Sequence, residues 1–178
     1  MKQFICKSPY TLPEEVCIDL IRAFEMDERK YIDDTFEHLI INTHLWSSVK
    51  NVVNYTLSDS LSKYLNNLDN LVDTNNWLVN EKESLTGLSE FHIKKFKKGF
   101  KSDWDNNTRD STARVGFIIF LNTPSDETSG SVNFYNFEKI KPVRGDVLLF
   151  PITWTNIFKH SKVDKDLYIL TGYFKTQS

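Results

Sequence analysis

The chain has 178 residues and a mass of 20.8 kDa, about one ordinary domain, and a fold of that size buries enough surface to need neither disulfides nor metal staples. Its 22 Lys and Arg against 24 Asp and Glu leave a net charge of −2 and a pI near 6.1, which argues against a nucleic-acid partner. Two cysteines, Cys6 and Cys17, exclude a disulfide framework, and no stretch reads as a signal peptide or a membrane span, so a soluble, cytoplasmic protein with no membrane partner is expected.

In chain order, Thr11-Leu12-Pro13-Glu14 places a hydroxyl, a proline and a returning carboxylate where a capping box would start a helix. Val16, Cys17, Leu20, Ile21 and Phe24 follow at helical spacing. A loop is expected around 27–36. A second helix is expected from Val49, Val53, Leu57, Leu61, Tyr64, Leu65 and Leu68, fraying at Asn66, Asn67 and Asn70. From Gly87 the texture changes to short runs rich in β-branched and aromatic residues, at 88–96, 115–121, 131–135, 146–150 and 167–174. The run from Val115 to Leu121 is apolar on both faces and reads as an interior strand.

Strands at short intervals without intervening helices indicate an antiparallel barrel or sandwich. The expectation is a mainly β jelly roll with flanking helices packed outside, one domain over 1–178. Its first half, about 1–86, reads as helical, and its β core spans about 87–175. Lys94, Lys95, Lys97, Lys98 and Lys101 would alternate between faces of a strand, and they read as guards on an exposed sheet edge rather than as a basic stripe.

Of the four histidines, His160 has the setting of a site, after a strand that stops at Pro151 and before the last strand, where a barrel mouth would lie. His92 reads as a half-buried or rim residue, and His38 and His44 as surface residues of the helical half. The cluster Asp103-Trp104-Asp105-Asn106-Asn107 has the opening spacing of a calcium loop, but Thr108 and Arg114 stand where that loop needs glycine and glutamate. A solvated loop with Asx turns is the alternative reading.

Arg114-Val115-Gly116-Phe117-Ile118-Ile119-Phe120-Leu121-Asn122, Ser129-Gly130-Ser131-Val132-Asn133-Phe134, the block from Ile140 through Gly145-Asp146 to Pro151, His160, and Tyr168-Ile169-Leu170-Thr171-Gly172-Tyr173-Phe174 succeed one another in order. Together they resemble the iron(II)/2-oxoglutarate-dependent oxygenases of the prolyl 4-hydroxylase type, in particular their small phage and viral versions. The resemblance runs from Glu90 to Phe174. It implies a double-stranded β-helix that holds one iron through a His-x-Asp pair and a distal His, with a basic residue gripping the co-substrate. Such a facial set leaves open positions for 2-oxoglutarate and oxygen.

On this resemblance His160 matches the distal ligand. Phe96-Lys97-Lys98-Gly99 matches the aromatic-x-x-Gly ahead of the first pair, so Asp103, Asp105 and His160 become the candidate metal ligands. Two positions depart from the pattern, Asp103 where the family has histidine and Leu167 where it has the basic residue. An added carboxylate and a lost cation repel the dianion, by roughly 4 kcal/mol for like charges ~4 Å apart at an effective dielectric of 20, about a thousandfold in affinity. An oxygen-rich set also favours manganese or magnesium over iron, and restoring histidine at position 103 is expected to strengthen iron binding. Arg114 is a candidate for placing the co-substrate, and Trp104 and Trp154 for lining the substrate mouth.

Two functions follow. One is an oxygenase using iron(II) and 2-oxoglutarate to hydroxylate a protein side chain or a small molecule. The other is a jelly roll that has lost the reaction and serves as a structural or binding module, conceivably in a viral particle, with a structural protein as partner.

Overall fold

The computed structural model describes residues 4–41, 46–71, 85–105, 110–135, 139–153 and 155–176. Helix α1 (Glu14–Met26) forms where the apolar stripe predicts it, and its Cys17, Leu20 and Phe24 are fully buried. Each large apolar side chain so buried contributes roughly 1.5–3 kcal/mol. The expected capping box is absent. The Thr11 hydroxyl donates to the Ser8 carbonyl at 3.0 Å, the helix starts after Pro13 without a side-chain cap, and Glu14 pairs with Arg144 instead. Helix α2 (Ser47–Leu71) buries Val53, Leu57, Tyr64 and Leu68 on one side.

The expected helical first half also carries strands. β1 (Cys6–Ser8), β2 (Tyr31–Ile32) and β3 (Phe36–Ile41) all join one sheet with β4 (Leu85–Leu88), β5 (Phe91–Phe96), β6 (Ala113–Phe120), β9 (Val147–Pro151) and β11 (Leu167–Thr176). Its order is β1-β9-β6-β11-β5-β3-β2, with β4 paired to β11. A second sheet, ordered β10-β7-β8, is built from β7 (Val132–Phe134), β8 (Lys139–Ile140) and β10 (Phe158–His160). Strand β5 is therefore interior, hydrogen-bonded to β11 on one side and to β3 along its whole length on the other. The reading of its lysines as edge guards is corrected by this pairing.

The two faces of the larger sheet bury different cores. Val115, Phe117 and Ile119 of β6 pack with the helices, together with Leu20, Phe24 and Leu57. Ile118 and Phe120 point the other way, toward Val132, Phe134 and Phe158 of the smaller sheet. That alternation explains why 115–121 is apolar at every position. Glu25 fastens α1 to the middle of the sheet by accepting from Lys95 Nζ of β5 at 2.8 Å and from the Tyr168 hydroxyl of β11 at 2.6 Å. The result is the mainly β jelly-roll architecture with helices packed outside.

Candidate active site

Between the sheets opens a cavity of about 410 Å3. Its floor is the inner face of the large sheet, where period-two alternation places His92, Lys94 and Phe96 of β5 beside Ile169, Thr171 and Tyr173 of β11. Asp105 and His160 line it from the opposite side, with Ser102 and Phe158. Phe36 and Phe100 complete an aromatic wall in which Phe96 stacks on Phe100 at 4.4 Å and tilts against His160 at 4.8 Å.

His160 is 5% exposed and is held from both ends. Its backbone N–H donates to Ser102 Oγ at 2.7 Å, and its ring Nδ1 lies 3.3 Å from the Gly130 carbonyl. A carbonyl only accepts, so Nδ1 carries the proton and Nε2 keeps its lone pair, the tautomer a metal or an N–H donor requires. Burial, reinforced by the positive Lys94 and opposed by the Gly130 bond, pushes its pKa down to about 4. The ring is neutral near pH 7. Gly130 serves this arrangement by a left-handed backbone, φ 62°, and a Cβ there would meet Leu167 Cδ2 at 2.5 Å.

The segment carrying the carboxylates touches β10 through an isolated bridge and not in even step. Asp105 and Phe158 exchange both backbone bonds at 2.8 Å, whereas two positions beyond Phe158, His160 faces Ser102, whose N–H donates to the His160 carbonyl at 3.4 Å. One extra residue is thus accommodated between Ser102 and Asp105. Such a slip exchanges which side chains face inward. Asp103 and Asp105 are both exposed, but Ser102 and Asp105 line the cavity and Asp103 does not. Of the three candidate ligands, Asp105 and His160 share the cavity, and among the described residues no three His, Cys, Asp or Glu side chains converge to hold a metal.

The remaining candidates sit elsewhere. Leu167 is fully buried in the inter-sheet core. Arg114 lies at an exposed strand end, where its Nη1 donates to the Ser111 and Ala113 carbonyls at 2.7 and 3.1 Å. Trp104 is 44% exposed, with Lys159 Nζ 4.6 Å over its ring and Tyr135 edge-on at 5.9 Å, and it does not line the cavity. Trp154 and His44 lie outside the described residues.

Sequence reasoning missed Lys94, the one lysine or arginine among the described residues that line the cavity. Burial pulls its amine below the usual lysine range, and the Asp105 carboxylate opposes that pull. His92 was placed as half-buried and is so, but the structure pairs it with His38, Nε2 to Nδ1 at 2.7 Å with rings stacked at 5.0 Å. Tyr173 donates to Asp110 Oδ2 at 2.5 Å, and Asp110 also accepts from the Thr112 hydroxyl at 2.6 Å; these bonds hold its pKa at about 2.

The histidines set an acid limit on stability. Burial lowers His38 to about 4, helped by His92 and Lys94, and lowers His92 as well, helped by Lys94. An unfolded histidine takes up its proton near ~6.5, so between that pH and about 4 protons bind the unfolded chain first. Stability present above ~6.5 is therefore expected to fall as pH drops toward 4, read as a falling thermal midpoint. His38→Gln should flatten that slope; an unchanged slope would remove the pair from the account.

No protein-family model and no curated protein sequence matches the chain. Solved structures do. A prolyl-4-hydroxylase from Pseudomonas putida superposes with a TM-score of 0.69 at 15% identity, covering 99% of this chain and 94% of its own. The viral collagen prolyl hydroxylase of Paramecium Bursaria Chlorella virus-1, solved with 2-oxoglutarate, gives 0.67 at 14% identity over 98% and 97%. A prolyl hydroxylase from Trichoplax adhaerens, in complex with a hypoxia inducible factor peptide, gives 0.71 at 15% identity over 97% and 84%. At this identity the likeness speaks for architecture, and the chain has the double-stranded β-helix fold of the prolyl 4-hydroxylase-like oxygenases.

Proposed function

We propose that the cavity is the active site of an oxygenase that uses a divalent metal, iron(II) foremost, and 2-oxoglutarate to hydroxylate a protein side chain or a small molecule. The observation that carries this reading is that Asp105 and His160, distant in sequence, line one cavity, with the His160 Nε2 lone pair left available by the Gly130 bond. One imidazole and one carboxylate are two of the three donors of a facial iron site. They fit a metal held by fewer protein bonds than the resemblance implies, since Asp103 does not line the cavity. Asp105 and His160 would hold the metal, which when bound with the oxo acid supplies the activation of dioxygen.

The chain's own residues set the surroundings. Phe36, Phe96, Phe100 and Phe158 give the site an apolar wall, and Gly130 orients the His160 ring. Trp104 and Tyr135, close in sequence to Asp105 and to β7, form an exposed aromatic pair, a surface a substrate would meet.

A second reading is favoured by the absence of Asp103 from the cavity wall and by the ammonium of Lys94 near Asp105: a retained fold used as a binding module. Turnover separates the two. With iron(II), ascorbate and 2-oxoglutarate, the wild-type protein is expected to form succinate, and His160→Ala to lose at least a hundredfold of that rate. No succinate from folded wild-type protein would overturn the oxygenase and leave the module.

A further inference from the structure

Lys94 is an unusual residue for an interior strand. Its neighbours across the ladders are His38 of β3 and Ile169 of β11, so its side chain rises from the middle of the sheet into the cavity between the sheets. Phe36, Phe96 and Phe100 wall that space, and an ammonium there loses water contacts that it must recover elsewhere. The Asp105 carboxylate is near enough to stabilise the charge, yet no hydrogen bond or ion pair joins the Lys94 amine to a described residue. The other groups facing it, His38, His92 and His160, carry no negative charge that would neutralise it. Asp110 also lines the cavity, but its oxygens are occupied by Tyr173 and Thr112.

We propose that Lys94 is the carboxylate-binding group of this cavity, and that it binds a small organic acid without a metal, the incoming carboxylate taking the place of Asp105 as counter-charge. The proposal rests on the reading of the cavity as the co-substrate site and assigns the cation that β11 lacks, where Leu167 is buried in the core. Three N–H donors on a flexible stem suit a carboxylate that arrives from the cavity side, and charge-assisted bonds of this kind are the strong ones. The ligand class follows from the remaining charges. Asp105 and Asp110 on the walls disfavour a phosphate dianion, whose two charges sit on one group, whereas an acid whose carboxylates are held apart by a carbon chain sets one of them against the ammonium and its chain among the aromatic rings. The space, about 410 Å3, accepts an acid of the size of glutarate or 2-oxoglutarate.

The test is calorimetric titration of the full chain in excess chelator, with glutarate and 2-oxoglutarate as probes and the uncharged diamide of glutarate as control. Wild-type protein is expected to bind both acids more tightly than the diamide. Lys94→Met should weaken the acids at least tenfold and leave the diamide unchanged. Asp105→Asn should tighten the acids severalfold, because it removes the charge that competes for Lys94; a role for Asp105 in metal binding alone would leave metal-free affinity unmoved. Equal acid affinity in wild type and Lys94→Met, or weaker acid binding in Asp105→Asn, overturns the proposal. Should Lys94→Met fail to fold, the Asp105→Asn arm decides. Lys94-dependent binding without any iron-dependent turnover would sink the oxygenase and keep this assignment, whereas turnover with acid affinity indifferent to Lys94 would do the reverse.

Discussion

Replacing Gly145 by valine is expected to destabilise the protein by roughly 3–5 kcal/mol, the largest stability effect of any single change considered. The glycine precedes β9 with φ +81°, a conformation that β-branched residues avoid, and a Cβ there would lie 2.4 Å from the Leu12 carbonyl oxygen. Relief would require the segment before α1 to move. That segment is tied down by the Thr11 and Leu12 amides donating to the Gly145 carbonyl at 2.8 and 3.0 Å, and by the buried Asp146, which accepts from the Tyr10 amide at 2.9 Å and pairs with Lys7 at 2.7 Å. Moving it also uncovers Leu12, 2% exposed. Urea unfolding measures the loss, and a change below about 1 kcal/mol would contradict the left-handed turn and its contact with Leu12.

The second large effect concerns the metal. Asp105→Ala and His160→Ala are each expected to weaken manganese(II) binding about a hundredfold or more, since even groups that only orient a ligand are worth ten- to hundredfold. Asp103→Ala should change it less than about threefold, because with the slip against β10 that residue does not line the cavity. For the same reason Asp103→His, which restores the family's sequence pattern, is expected to bring no gain, contrary to the expectation from the pattern alone. Titration with Asp103→Ala losing as much as Asp105→Ala would place Asp103 at the metal and refute the slip.

These two cases mark what could be read along the chain. β6 was legible because both its faces are buried, which writes an unbroken apolar run into 115–121, and α1 because one face alone is buried, which writes a stripe. β3 was not: Phe36–Ile41 is too short to separate from its loop by pattern, and its partner β5 is remote in sequence. That one omission made β5 look like an edge and Lys94 like a solvated guard, when pairing with β3 carries the lysine into the cavity. β10, three residues long, is too short to stand out as a run, and without it the register that separates Asp105 from Asp103 stays hidden. His160 could be found because a matching motif surrounds it, whereas Lys94 belongs to no motif and is placed by pairing between distant segments alone.

The central claim is that Asp105 and His160 jointly hold a metal on which 2-oxoglutarate chelates. Anaerobic addition of iron(II) and 2-oxoglutarate, followed by visible absorption, tests it most directly. The account predicts the charge-transfer band of the chelate in wild-type protein and in Asp103→Ala, and its loss in His160→Ala and Asp105→Ala. A folded wild-type protein that shows no band at millimolar co-substrate, or a band that survives His160→Ala, would contradict it.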